Sequence, residues 1–213
     1  MDFLIDAFLH LDTHLATLVA EYGIWVYGAL FVVVFAETGL VVTPFLPGDS
    51  LLFAAGALAA TGAMDVTVIV VTLTIAAILG NVVNYSIGRA IGPRVFAARD
   101  SQGMMHKLLN RQHLERAHEF FEQKGGLAVV ASRFAPIIRT FVPFVAGAAA
   151  MNASTFLLYN VVGAVAWVGV CVGAGFAFGN VPVIKNNFSL VAIGIVAVSM
   201  IPMVLEVLRA RRA

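Results

Sequence analysis

The chain has 213 residues, of which 61% are hydrophobic and only 12% are charged, and its mean hydropathy is +0.94. A soluble domain of that length carries about twice this charge, so lipid must cover apolar side chains that one small core cannot hold. The formal net charge of +1 excludes the basic footprint of a nucleic-acid binder, and the single cysteine, Cys171, excludes a disulfide framework or a thiolate metal site.

Residues 1–22 contain no Lys or Arg and four acids, Asp2, Asp6, Asp12 and Glu21, which is unlike a signal peptide. Leu4, Phe8, Leu11, Leu15 and Leu18 recur at helical spacing, so the segment is predicted to be an amphipathic helix on the membrane surface or packed across the protein. Residues 23–62 hold two uncharged arms, each shorter than the roughly 20 residues a span needs. Between the arms lies "ETGLVVTPFLPGD" (37–49), with Glu37, Pro44, Pro47, Gly48 and Asp49. Two short arms around a Pro-Gly break predict a re-entrant hairpin, because irregular backbone at membrane depth must be buried in protein or line a wet cavity.

Residues 65–89 read as a full transmembrane helix ending at Arg89, which can snorkel to the interface. Residues 90–126 are the polar, basic part of the chain, with an amphipathic helix predicted near 110–124. Residues 127–150 are apolar again but interrupted by Arg133, Pro136, Arg139 and Pro143, which predicts a second re-entrant hairpin. Residues 154–179 and 188–207 read as further spans, and the chain closes on Arg209, Arg211 and Arg212. Basic segments stay cytoplasmic, so the middle loop and the C-terminal segment share that side. That parity holds only if 127–150 enters and leaves by one face. The order surface helix, broken hairpin, full span then occurs twice in opposite orientations, which is the inverted-repeat pattern of transporters.

An ionisable group deep in a bilayer costs about 2.5–3.5 kcal/mol and needs a partner or a cavity. Glu37, Asp49, Arg133 and Arg139 all stand in apolar context. Asp49 suits an N-cap of the second arm and equally a proton site or ion partner. Glu37 suits either proton coupling or a static ion pair. Arg133 and Arg139 would point about 120° apart on an unbroken helix, and a break at Pro136 lets them converge. Their planar forks suit phosphate oxygens. The alternative is that they neutralise Glu37 or Asp49, and both roles can hold in turn. In "GNVVNYSIGR" (80–89), Asn81, Asn84, Tyr85 and Gly88 share one helical face, as interhelical packing or as the lining of a cavity with Arg89 and Asn160. The pairs His10–His14 and His113–His118 match no HExxH motif and read as surface groups, while Trp25 and Trp167 read as packing or interface residues.

The three motifs at 37–49, 80–89 and 132–167 together resemble the DedA family of bacterial inner-membrane proteins, within the VTT-domain superfamily. One departure is that Asn81 and Asn84 stand where the family pattern often has Asp and Gly, so an acidic role there is absent. The resemblance implies two re-entrant hairpins meeting inside the membrane. It also implies lipid translocation, with undecaprenyl phosphate as the substrate of flippase members. By motif position, Glu37 and Asp49 match the family's essential acids, Arg133 and Arg139 its essential arginines, and Pro136 its hairpin proline.

The expectation is an all-α integral membrane protein of the bacterial cytoplasmic membrane: an inverted repeat of two re-entrant hairpins plus transmembrane and amphipathic surface helices. It is expected to be no enzyme, to need no metal or cofactor, and to flip an anionic lipid, a polyprenyl phosphate, with protons as the coupling ion. A phospholipid scramblase or a general proton-coupled exporter is the alternative. No His lies in either broken hairpin, which argues against a lipid phosphatase. A homo-oligomer stays open.

Overall fold

The computed structural model describes residues 21–40, 48–97, 121, 125–179 and 181. The helix expected over 1–22 (residues 21 and 22 apart), nearly all of the surface helix near 110–124, the span 188–207, and Pro44 and Pro47 lie outside the described residues. Six helices are described: α1 (Trp25–Gly39), α2 (Gly48–Ala60), α3 (Val66–Ala97), α4 (125–132), α5 (Pro136–Ala148) and α6 (Ala153–Phe178), with no strand among the described residues.

Length separates these helices into two kinds. Val66–Ile91 and Ala153–Phe178 are apolar runs of 26 residues each. At 1.5 Å per residue each extends about 39 Å, more than the hydrocarbon core of a bilayer. By contrast α1, α2 and α5 have 15, 13 and 13 residues, about 20 Å each, and none can cross alone. α3 continues past Arg89, the end assigned from sequence, through Gly92 and Pro93 to Ala97.

The chain divides into two compact units. One contains residues 45–76 and 165–213 with the chain up to Val34; the other contains 35–44 and 77–164. In the first unit α2 rests against α6, and Gly56 makes this approach sterically open: a Cβ there would lie 2.2 Å from the Val172 carbonyl oxygen. In the second unit α5 rests against α3 in the same manner, with a Cβ at Gly147 placed 2.0 Å from the Tyr85 carbonyl oxygen. The second unit's core joins Tyr85, Phe121, Val129, Ala146, Ala149, Met151 and Phe156.

Short turns connect each of these arms to the long helix that follows it. α2 closes through a left-handed Gly62 (φ +80), with Ala63 N–H bonded to the Leu58 carbonyl. α5 closes through Ala150 (φ 55), with Met151 N–H bonded to the Ala146 carbonyl. Both are helix ends in which a left-handed residue lets an orphan carbonyl find a donor. Asp65 then caps α3, its Oδ1 accepting the Thr67 and Val68 N–H groups at 2.7 and 2.9 Å. Asn152 does the same for α6, accepting from Ser154 and Thr155.

Two of the expected chain breaks fall among the described residues as breaks. Pro136 opens α5 after the turn at 133–135, and Gly48 opens α2. Pro143, expected to be a break, is not one: it lies inside α5, which runs on to Ala148. A proline within a helix removes the donor for the carbonyl four residues back, here Arg139, and the helix absorbs that loss locally.

Candidate functional site

Glu37 stands in the last turn of α1 and Arg139 in the first half of α5. Their side chains form a salt bridge in which Arg139 Nη2 donates to Glu37 Oε1, and both residues are buried. Arg133 lies in the turn between α4 and α5 and is buried too. Its Nη2 donates to the Asn160 Oδ1 at 2.5 Å and to the Ala77 carbonyl at 3.2 Å. On either side of the turn that ends at Pro136, both arginines of one short segment thus have buried side chains.

Three asparagines organise that interior. Asn160 of α6 donates from Nδ2 to the Ile78 carbonyl at 3.1 Å, which fixes its oxygen toward Arg133. Arg133 has only donors to offer, so this orientation is the one the chemistry permits. The same Asn160 oxygen also accepts from Asn81 Nδ2 at 3.1 Å. Asn84 donates from Nδ2 to two main-chain carbonyls, Thr140 at 2.8 Å and Thr38 at 3.3 Å. The carboxamide oxygens of Asn81 and Asn84 are buried and accept no hydrogen bond among the described residues. They are acceptors that a ligand hydroxyl or a water can use. Tyr85 donates to the Met151 carbonyl at 2.5 Å, accepts from Arg89 Nη1 at 2.8 Å, and stacks on Phe156 with centroids 4.3 Å apart. Arg89 is thus tied into the fold.

The exposed side of this segment is apolar. Phe134, Ile138 and Phe141 are exposed, while Arg133, Arg139 and Thr140 beside them are buried. In water this arrangement would be reversed. Cations inside and aromatic groups outside mark a segment whose surroundings are hydrocarbon. Trp25, at the start of α1, is 77% exposed and fits an interfacial anchor.

Asp49 belongs to the first unit. It sits in the first turn of α2, where the helix dipole favours a negative charge. Its Oδ1 accepts the indole N–H of Trp167 at 2.9 Å, and Trp167 is fully buried.

Comparison with known proteins agrees with the motifs. The VTT domain family model matches residues 46–177. The Protein DedA of Escherichia coli is 51% identical over 213 residues, covering 99% of this chain and 95% of its own length. The chain belongs to the DedA family of VTT-domain membrane proteins. A further family member, the inner membrane protein YqjA of Escherichia coli, is 38% identical over 74% of this chain and 69% of its own. An "uncharacterized membrane protein" of Mycobacterium tuberculosis is 40% identical over 90% of this chain and 83% of its own. No solved structure matches the chain.

In this DedA-family chain, then, Glu37, Arg133, Arg139, Asn81, Asn84, Tyr85, Arg89 and Asn160 all fall in one compact unit. Three contributors were not assigned to the site from sequence. Thr38 and Thr140 act through their carbonyls, which any residue carries. Trp167, expected to serve packing or the interface, packs and also donates to Asp49. An indole at the middle of an uncharged, apolar span was the signal, since a buried Trp N–H needs a partner.

Proposed function

We propose that this protein is a flippase that carries an anionic lipid, undecaprenyl phosphate, across the bacterial cytoplasmic membrane in a step coupled to protons. The supporting observation is that two guanidinium groups, Arg133 and Arg139, are buried in one compact unit with the Glu37 carboxylate, which holds Arg139. A phosphate monoester offers the oxygen geometry that a guanidinium fork matches. The polyprenyl tail stays in lipid beside Phe134, Ile138 and Phe141, and the lipid crosses without any bond being made or broken.

Glu37 supplies the switch. While ionised it occupies Arg139. On taking a proton it releases the guanidinium to the phosphate, so lipid binding and proton uptake go together. The two short arms on either side of 41–47 and of 133–135 act as re-entrant hairpins. Support for this comes from Val129 of α4 and Ala146 of α5, which share one core cluster. On a straight helix they would be about 25 Å apart. The parallel closures of α2 and α5, each followed by a capped spanning helix, support an inverted repeat of the two halves.

The test is translocation of undecaprenyl phosphate by the purified protein in proteoliposomes with an imposed proton gradient. Arg133→Ala and Arg139→Ala each abolish movement while the protein stays monodisperse and keeps its helical circular dichroism. Normal movement by both variants refutes the site, and headgroup competition that favours phospholipids instead identifies a scramblase.

A further inference from the structure

Gly80, Asn84 and Gly88 follow one another at four-residue spacing on α3, so they share one face. Gly80 abuts α1: a Cβ there would lie 1.9 Å from Thr38 Oγ1 and 2.9 Å from the Phe35 carbonyl oxygen. Gly88 abuts α5, with the Phe144 carbonyl oxygen 2.1 Å from such a Cβ. Between them, Asn84 is fully buried and bonds both neighbours at once through a single nitrogen.

The two carbonyls it holds belong to Thr38 in the last turn of α1 and Thr140 in the first half of α5. Each is also the residue directly after a member of the ion pair, Glu37 and Arg139. Fixing these two peptide groups to one amide fixes where the carboxylate and the guanidinium start from.

We infer that Asn84 is a positioning residue for the Glu37–Arg139 pair, a latch that fastens the end of α1 to α5 and so sets when Glu37 can release Arg139. The geometry stands by itself; the functional consequence rests on the proposed flippase role. An alanine at 84 leaves both carbonyls without this donor and lets the helices part.

The experiment uses the full chain in lipid nanodiscs and reads the Glu37 carboxylate by infrared difference spectroscopy, with Glu37→Gln assigning the band. Asn84→Ala displaces that band relative to the native chain, and Asn84→Ser, which keeps a single donor, displaces it less. In proteoliposomes Asn84→Ala slows lipid movement by at least about tenfold, the scale of losing a group that orients a site residue. In the Glu37→Gln background it adds little further loss, because residues acting through one another are non-additive. An unchanged carboxylate band in both Asn84 variants overturns the inference, as does a transport loss that adds in full to that of Glu37→Gln. If Asn84→Ala yields no folded protein, the Asn84→Ser band and double-variant rates decide in the same way. A native chain that moves no lipid refutes the flippase role alone, and the band shift then decides the positioning role by itself.

Discussion

Glu37 and Arg139 are 102 residues apart in the chain and meet as a buried ion pair between the end of α1 and the first half of α5. A buried ion pair is weak support for stability, since desolvation offsets most of its attraction. Its presence in so apolar a chain therefore points to a task that needs charge. Under the proposed flippase role that task is exchange: the carboxylate holds a guanidinium that a lipid phosphate would take over.

Removing one partner should cost far more than removing both. Arg139→Met strands the Glu37 carboxylate and is expected to destabilise the protein by about 3–5 kcal/mol. The double variant Glu37→Met, Arg139→Met should recover most of that loss. Thermal and denaturant unfolding of the purified protein measure both. A double variant as unstable as the two single losses added together would contradict the buried pair.

Lipid binding should depend on pH with a definite sign. Protonated Glu37 no longer occupies Arg139, so affinity for the phosphate lipid should rise as pH falls through the titration of Glu37 and decline as pH rises. Glu37→Gln mimics the protonated form, and its binding should be strong and flat across that range. Titration of the lipid into nanodiscs at several pH values checks this, and a Glu37→Gln variant with the native pH profile excludes Glu37 as the coupling group.

Trp167 should matter through its N–H as well as its volume. Trp167→Phe removes the donor to Asp49 and is expected to cost about 1–3 kcal/mol in unfolding free energy, the scale of a hydrogen bond to a charged group. In an Asp49→Ala background the same substitution should cost less. Equal losses in the two backgrounds would show that the indole serves packing alone.

Ala150 holds a left-handed conformation (φ 55) at the end of α5. A Cβ in that region costs roughly 1–2 kcal/mol, which glycine avoids. Ala150→Gly is therefore expected to raise the melting temperature without altering lipid movement. A fall in stability would mean that the turn between α5 and α6 is not closed in this way.

The charged groups were legible in the sequence because each violates its apolar setting. Glu37, Arg133 and Arg139 could be placed in a shared interior from that violation together with the break at Pro136. The two long spans and the short arms were legible from run length. What could not be read were contacts made to main-chain atoms. Asn84 reaches the carbonyls of Thr38 and Thr140, 46 and 56 residues away, and a carbonyl carries no sequence signal. Asp49 and Trp167, 118 residues apart, pair only because α2 rests on α6 through Gly56. Pro143 misled for a related reason: proline ends helices in water, yet a helix supported by neighbours carries one inside. The Asn81–Asn160–Arg133 link depends on three elements converging, which periodicity on any one of them does not reveal.

The central claim is that a lipid phosphate sits against Arg133 and Arg139. Cryo-electron microscopy of the protein purified with its native lipids, supplemented with undecaprenyl phosphate, tests it most directly. The expected result is a phosphate-sized density within hydrogen-bonding distance of both guanidinium groups, with the tail leaving beside Phe134 and Phe141, and loss of that density in Arg133→Ala. A well-resolved site in which Arg133 and Arg139 face only protein, with the lipid phosphate bound elsewhere, would contradict it.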